Sequence, residues 1–416
     1  MELKRVVVTG MGALTPIGNT LDEYWAALKS GKSGAAKITQ FDASLFKTQF
    51  ACELKQFNAT DHIDRKEARK LDQFSQYALV TANEAVENSK ILSSNPNLDR
   101  IGVIWGSGIG GLKTFQDEAQ NFFSGDGTPR FNPFFIPKMI ADIAAGHISI
   151  KYGFRGPNYV TVSACASSTN AIIDSFNLIR LGKADAIVTG GSEAGVNEMG
   201  MGGFNALRAL STRNDSPETA SRPFDVDRDG FVLGEGGGAL ILEEYEHAVA
   251  RGATIYAEVI GGGMSGDAHH ITAPHPEGLG AINTMHAALD DAEIKPEEVD
   301  YINVHGTSTP LGDIAEVKAI KSVFGDHAYN LNISSTKSMT GHLLGAAGAI
   351  EAIASIMAVY EDEVPPTINH FTDDPNLDSK LNFTFNKSEK RIVNVALSNT
   401  FGFGGHNTTV IVKKHI

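Results

Sequence analysis

The chain has 416 residues but only two cysteines, Cys52 and Cys165, so a disulfide scaffold is excluded. Positive charge is also in short supply. Thirty-five lysines and arginines face 49 acidic residues, a formal net charge of −14. A global affinity for nucleic acid or an anionic membrane surface needs the opposite sign, so neither partner is expected. Long apolar runs are missing: the longest charge-free stretch, 392–412, is interrupted by Asn, Ser, Thr and Gly and is no membrane span. The opening MELKRVVVTG has no apolar segment before a cleavage site, so no signal peptide is expected and the expected compartment is the cytoplasm. Proline is sparse at 15, whereas glycine reaches 43, about one residue in ten, which points to tight backbone turns.

Short β-rich runs alternate with longer amphipathic segments, the rhythm of βαβ units around buried sheets. The first half offers strands at 5–9, 101–105, 160–164, 186–190 and 238–242. The second offers 255–261, 301–305, 332–335, 392–397 and 408–412. In each half the third strand runs into a Ser-rich turn and an Ala-rich helix (VTVSACASSTNAI and NISSTKSMTGHLLGAAGAI). The fourth runs into paired glycines. This reads as a duplication with its seam near 250–254, giving halves 1–250 and 251–416, with a ligand cleft expected where the strand ends meet. The polar stretch 213–230 reads as a long surface loop. A helix beginning at 64–70 carries Lys66, Arg69 and Lys70 on one face, either a solvated face or a dock for an acidic partner.

Cys165 follows a strand and precedes a helix at about 166–181, which Gly182 terminates. A reactive atom at such a turn has the geometry of a nucleophile elbow, and a helix N-terminus favours thiolate. The alternative is a small buried cysteine. His305 ends a strand before Gly306, and Thr309 with Pro310 reads as the cap and first residue of the next helix. His342 opens the helix GHLLGAAGAIEAIASIMAVY, where the dipole favours neutral imidazole. Cys165 and the two histidines occupy corresponding places in the halves and are expected to converge; alternatively each His is a satisfied core residue. Glu351, among Ala and Ile, needs a cationic partner, and Lys337 is the nearest candidate. The loop SNTFGFGGHN exposes backbone N–H groups that would complete an oxyanion hole with the amide of Cys165, and Phe403 between glycines could gate entry. Two patterns mislead. GSGIGG at 106–111 follows a strand and fits a dinucleotide fingerprint, but that strand is not the first of an obvious mononucleotide unit, and Asp126 sits in a Gly-flanked turn rather than at a strand end. DAHHITAPHP has three histidines but not helical metal-ligand spacing, so a loop near the cleft is expected there.

Four ordered motifs carry a resemblance: VSACASS around Cys165, VHGTSTPLGD around His305, KSMTGHLLGAAG around Lys337 and His342, and NTFGFGG around Phe403. Together they resemble β-ketoacyl-acyl carrier protein synthases of the type I/II group, most like the type II enzymes of bacterial fatty acid synthesis. The similarity runs end to end. The Cys–His–His set differs from the Cys–His–Asn of type III enzymes, and retention of Cys165 sets the chain apart from inactive chain-length factors. Val304 and His406 depart from the usual residues of their motifs, and His406 puts the hydrogen bonding of the glycine loop in question. The resemblance implies a thiolase-like five-layer αβαβα sandwich from two duplicated halves, assembled as a homodimer. It implies decarboxylative condensation of acyl- with malonyl-acyl carrier protein through an acyl-Cys165 intermediate, with no cofactor and no metal. By the same resemblance His305 and His342 stabilise the enolate, supported by Lys337 and Glu351. The amides of Cys165 and Phe403 hold the oxyanion. Ile109 and Phe204 line the acyl pocket, and Thr307 and Thr309 hold the pantetheine arm. Lys66, Arg69, Lys70, Arg208 and Arg213 meet the carrier protein.

Overall fold

The computed structural model describes residues 3–415. Each expected strand has a counterpart in one ten-stranded sheet, those expected at 160–164 and 392–397 being displaced by two or more residues: β1 (Val6–Leu14), β2 (Ile101–Gly106), β3 (Asn158–Thr161), β4 (Ala186–Glu193), β5 (Gly236–Glu244), β6 (Ala257–Gly266), β7 (Tyr301–Asn303), β8 (Asn332–Ser334), β9 (Val395–Gly402) and β10 (His406–Lys413). Six helices flank them: α1 (Gln73–Ser89), α2 (Ile143–Tyr152), α3 (Ser167–Arg180), α4 (Leu279–Asp291), α5 (Pro310–Phe324) and α6 (Ala347–Glu361). From one edge the order is β3-β2-β4-β5-β1; from the other it is β8-β7-β9-β10-β6. These are the same permutation of five strands, with the same parallel and antiparallel pairings. The halves join where Val6–Val8 of β1 run antiparallel to Ala257–Val259 of β6.

Period-two alternation decides the layers. On β5, Leu240 and Leu242 face one cluster while Ala239 and Ile241 face another; on β10, Val410 and Val412 face the same first cluster and Ile411 a third. The shared central cluster holds Ile172 and Phe176 of α3 with Ile350, Ile353 and Met357 of α6. Helices α1 and α2 cover the outer face of the first half, α4 and α5 that of the second. The result is helix, sheet, helix, sheet, helix. Because α6 lies in the middle it is apolar all round, and every residue from Ala347 to Val359 is buried. Segment Leu344–Glu361 is long and apolar enough to cross a membrane, yet 89% of it is buried in the protein.

Glycine abundance has a packing cause as well as a turn cause. A Cβ on Gly12 of β1 would lie 2.2 Å from the Thr81 carbonyl of α1, and one on Gly263 of β6 would lie 2.0 Å from the Thr284 carbonyl of α4. Only bare backbone lets each outer helix approach so closely. The 213–230 segment, expected as a surface loop, is instead largely buried, with Ser221, Arg222, Phe224, Asp225 and Arg228 inside. Arg228 pairs with Asp313 and Asp374, and Asp225 accepts from the amides of Phe371 and Thr372. Polar composition misled because these charges are neutralised internally.

Candidate active site

Past β3 the chain turns sharply. Ala164 sits at φ +52°, a left-handed conformation costly for a residue with a Cβ, and the tight turn Ala164–Ala166 leads into α3. The turn is held by Ser167, whose hydroxyl donates 2.7 Å to the Ala164 carbonyl and accepts from the Ser163 amide at 2.9 Å. Cys165 is therefore presented at an elbow, as its sequence context predicts. The second half repeats the device: Leu344 at φ +50°, the turn Leu344–Ala346, then α6. The local counterpart of Cys165 is thus Gly345, not a histidine, which corrects the expected correspondence.

His305 lies two residues beyond β7. Its amide and that of Gly306 donate to the Glu316 carboxylate of α5 at 2.9 and 2.8 Å. Thr309 does precede the first helical residue Pro310, but its hydroxyl bonds Thr307 (3.0 Å) rather than capping the helix. His342 does not open a helix. It is extended between the short helix Lys337–Thr340 and the turn at Leu344, its amide donating 2.7 Å to the Val232 carbonyl. The helix expected from residue 342 starts at Ala347 because Gly341 and the left-handed Leu344 break the pattern. His342 Nε2 lies 3.0 Å from Cys165 Sγ. The His305 and His342 rings are 5.3 Å apart and nearly perpendicular (86°).

Burial, reinforced by the Lys337 ammonium, holds both imidazoles well below the ordinary histidine range, so both are neutral at pH 7. Among the described residues neither Nδ1 has a hydrogen-bond partner. A stranded buried N–H costs more than a stranded lone pair, so the proton belongs on Nε2 and both rings are Nε2–H donors. Neutrality thus follows from desolvation, not from a helix dipole.

Burial also pushes the Cys165 thiol up to about 12, although Lys337 and the backbone amide of Phe403, which donates to the sulfur, pull the other way. The resting sulfur is a thiol. The expectation that the helix end would favour thiolate is corrected, since desolvation is the larger effect. Lys337 and Glu351 do meet as an ion pair, 1% and 0% exposed, and burial pushes the Glu351 carboxyl up to about 7 against the pull of the ammonium. Gly402, at the end of β9, leaves no room for a side chain: a Cβ would sit 2.7 Å from the Ser163 carbonyl and 3.1 Å from the Cys165 amide. The glycine loop is therefore pressed against the nucleophile's turn.

A cavity of about 670 Å³ opens onto this group, lined by Cys165, His305, His342 and Phe403 together with Ile109, Phe204, Thr307, Thr309 and Arg208. Its wall is mostly apolar. The 267–275 loop contributes Asp267, Thr272 and His275 to the mouth, as expected of a loop near the cleft. The basic residues are less uniform than their spacing suggests. The helix there is a single turn, Arg65–Ala68. Lys66 and Arg69 are exposed, whereas Lys70 pairs with Glu67 (2.7 Å) and Arg213 donates to the Asp227 carbonyl (3.0 Å). Several site residues escape a reading by motif. Glu316 braces His305, Asn399 donates to Glu316 at 3.2 Å, Phe231 packs edge-on to His342, and Phe401 packs against His305. Glu316 and Phe231 lie outside the four motifs, whereas Asn399 and Phe401 fall within NTFGFGG, where only the fold reveals their partners, Glu316 and His305.

A doubled α/β sandwich whose deep apolar cavity ends on an elbow cysteine is the architecture of the thiolase-like class. Residues 3–248 match the family described as beta-ketoacyl synthase, N-terminal domain, and residues 256–371 match beta-ketoacyl synthase, C-terminal domain. The chain belongs to the beta-ketoacyl synthase family. It is 53% identical over 415 residues to the 3-oxoacyl-[acyl-carrier-protein] synthase 2 of Synechocystis, covering 100% of this chain and 99% of that one. Among solved structures, a beta-ketoacyl synthase from Burkholderia phymatum superposes with a TM-score of 0.92 at 35% identity, over 99% of this chain and 100% of the other. A ketosynthase in complex with a type II polyketide acyl-carrier protein and bound to a hexaketide gives 0.90 at 33% identity, over 100% of both chains.

Proposed function

We propose that this chain condenses an acyl group with a malonyl group, both delivered on acyl carrier protein, and lengthens fatty acids by two carbons. The observation that carries the reading is the contact between Cys165 Sγ and His342 Nε2, with the His305 ring set across it at the end of one apolar cavity. In the first step the Cys165 sulfur attacks the acyl thioester, the new S–C bond forms, and the carrier's thiol leaves with the proton that the cysteine gives up. In the second step the malonyl thioester carbonyl accepts from the Nε2–H groups of His305 and His342. The carboxylate departs as carbon dioxide, and its bonding pair becomes the enolate. Two neutral donors suit this, because they stabilise a developing oxyanion without neutralising the malonyl carboxylate by proton transfer. In the third step the enolate carbon attacks the acyl-cysteine, whose carbonyl oxygen lies at the amides of Cys165 and Phe403. The sulfur then leaves as thiolate and takes up a proton from solvent. Lys337, held by Glu351, supplies a fixed positive field at the sulfur and keeps the histidines neutral.

Ile109 and Phe204 would border the acyl chain and Thr307 with Thr309 the pantetheine arm. Lys66, Arg69 and Arg208 are the free basic contacts for an acidic carrier protein, with Lys70 and Arg213 weakened by their internal partners. The halves 1–250 and 251–416 are read as a duplication, supported by the identical strand permutation. On this reading the enzyme works in the cytoplasm as a homodimer. The edge strand β3 supports pairing with a second copy, since it borders only β2 and leaves Tyr159 38% exposed, with Val162 just past its end 63% exposed. Incubation with acyl carrier protein carrying an acyl group is expected to add one acyl mass to the protein at Cys165. Normal product formation by Cys165→Ala would refute the proposal.

A further inference from the structure

The glycine-rich GSGIGG turn has the exposed amides of an anion-binding nest, and the anion it binds is the protein's own. Glu193, the last residue of β4, is fully buried. Its carboxylate accepts from the amides of Gly108 (2.7 Å), Ile109 (3.2 Å) and Gly110 (3.3 Å), and from the Ser107 hydroxyl (3.2 Å). It also accepts from the amide of Gly345, 3.0 Å away, in the second elbow. No cationic side chain pairs with it among the described residues. The packing around it leaves no slack. A Cβ on Gly345 would lie 2.2 Å from the Gly108 amide nitrogen, and one on Gly108 would lie 2.8 Å from the carboxylate and 3.2 Å from the Ala164 carbonyl. One carboxylate therefore ties together the cavity loop bearing Ile109 and the Leu344–Gly345 turn, hard against the turn of the nucleophile.

Resting on the condensing reading above, we infer that Glu193 is a positioning residue: it fixes the acyl-cavity wall at Ile109 and so sets how well a long acyl chain is accepted at Cys165. The amides of 108–110 point inward at Glu193, which turns the Ile109 side chain to the cavity, where it is 42% exposed. Releasing those amides lets the wall rotate. A long acyl chain has more of its length to lay against that wall than an acetyl group has, and malonyl decarboxylation depends on the histidine pair instead.

The test compares Cys165 acylation by acetyl- and hexadecanoyl-acyl carrier protein, read as adduct mass against time, in the full-length protein and in Glu193→Gln. The amide replaces one of two acceptor oxygens with a donor and strands part of the amide set. The hexadecanoyl-to-acetyl ratio of kcat/KM is expected to fall by about tenfold or more, the scale of a lost hydrogen bond to a charged group. Ser107→Ala removes one donor while keeping the carboxylate, and is expected to move the ratio in the same direction by less. It serves as the readout if Glu193→Gln does not fold. Equal losses for both chain lengths, or an unchanged ratio in both variants, would overturn the positioning role. Wild-type protein that forms no adduct with either donor would instead overturn the condensing reading, and this inference with it.

Discussion

Replacing Lys337 with methionine removes the ammonium that offsets burial at Cys165 while keeping most of the side-chain volume. With the thiol pushed up to about 12, about one sulfur in 10⁵ is ionised at pH 7, against about one in thirty for a free cysteine. An opposite charge within about 4–6 Å typically changes the ionised fraction ten- to a thousandfold, so Lys337→Met is expected to slow thiolate chemistry by about that range. The assay is the rate of Cys165 alkylation by iodoacetamide from pH 6 to 10, followed by mass spectrometry. Wild-type protein is expected to show a tenfold rise per pH unit with no plateau below pH 9, and Lys337→Met a parallel line beneath it. The substitution also strands the buried Glu351, and breaking a buried pair from one side costs about 3–5 kcal/mol. Lys337→Met/Glu351→Gln removes both charges and is expected to recover most of the stability but only part of the alkylation rate, because the Glu351 charge raises the thiol by less than Lys337 lowers it. A wild-type plateau below pH 8, or equal rates in the two proteins, would refute the claim that burial dominates at the sulfur and Lys337 offsets it.

Other expectations follow from the same structure. Gly402→Ala drives a methyl into the Ser163 carbonyl and the Cys165 amide; turnover should drop about 10²–10³-fold, the scale of a lost oxyanion donor, with circular dichroism unchanged. Unchanged turnover would show that the loop amide is not engaged. Charge reversal at Lys66 and Arg69 should raise KM for acyl carrier protein far more than for small acyl thioesters; equal effects on both would discard the docking role. For stability, Glu84, Glu235, Glu316 and Glu351 have carboxyls raised to about 7 against 4.5 unfolded, so their contribution is full below pH 4.5 and is lost as pH rises through 7. Glu243, lowered to about 2 chiefly by Arg251 and His247 against the opposing cost of burial, stabilises above 4.5 and loses this as pH falls toward 2. The melting temperature should therefore rise from pH 8 to about 5 and fall below about 4; a profile still rising from pH 6 to 8 would contradict these directions.

Most of the ten strands were legible because they are short apolar runs set off by glycine and polar turns, and burial on both faces of the sheets enforces that pattern; the half-exposed edge strand β3 is the exception. The position of His342 was not. A run of Gly, Leu and Ala reads as helix from its first residue, whereas the positive φ at Gly341 and Leu344 delays the helix to Ala347. The buried 213–230 segment failed in the opposite sense, because charge in a sequence says nothing of whether a partner neutralises it inside. Glu193 and Glu316 left no trace at all: most of their partners are backbone amides, which every residue but proline supplies.

The sequence alone determined the doubled α/β pattern, the elbow at Cys165 and the reactive side chains, since periodicity and turn chemistry are local properties of the chain. Tertiary structure decided how those side chains behave. Cys165 is a thiol and the histidines are neutral because residues more than a hundred positions apart in sequence bury them at the end of one cavity and leave one ammonium beside them. Desolvation and long-range charge are properties of the folded volume, and no stretch of sequence contains them.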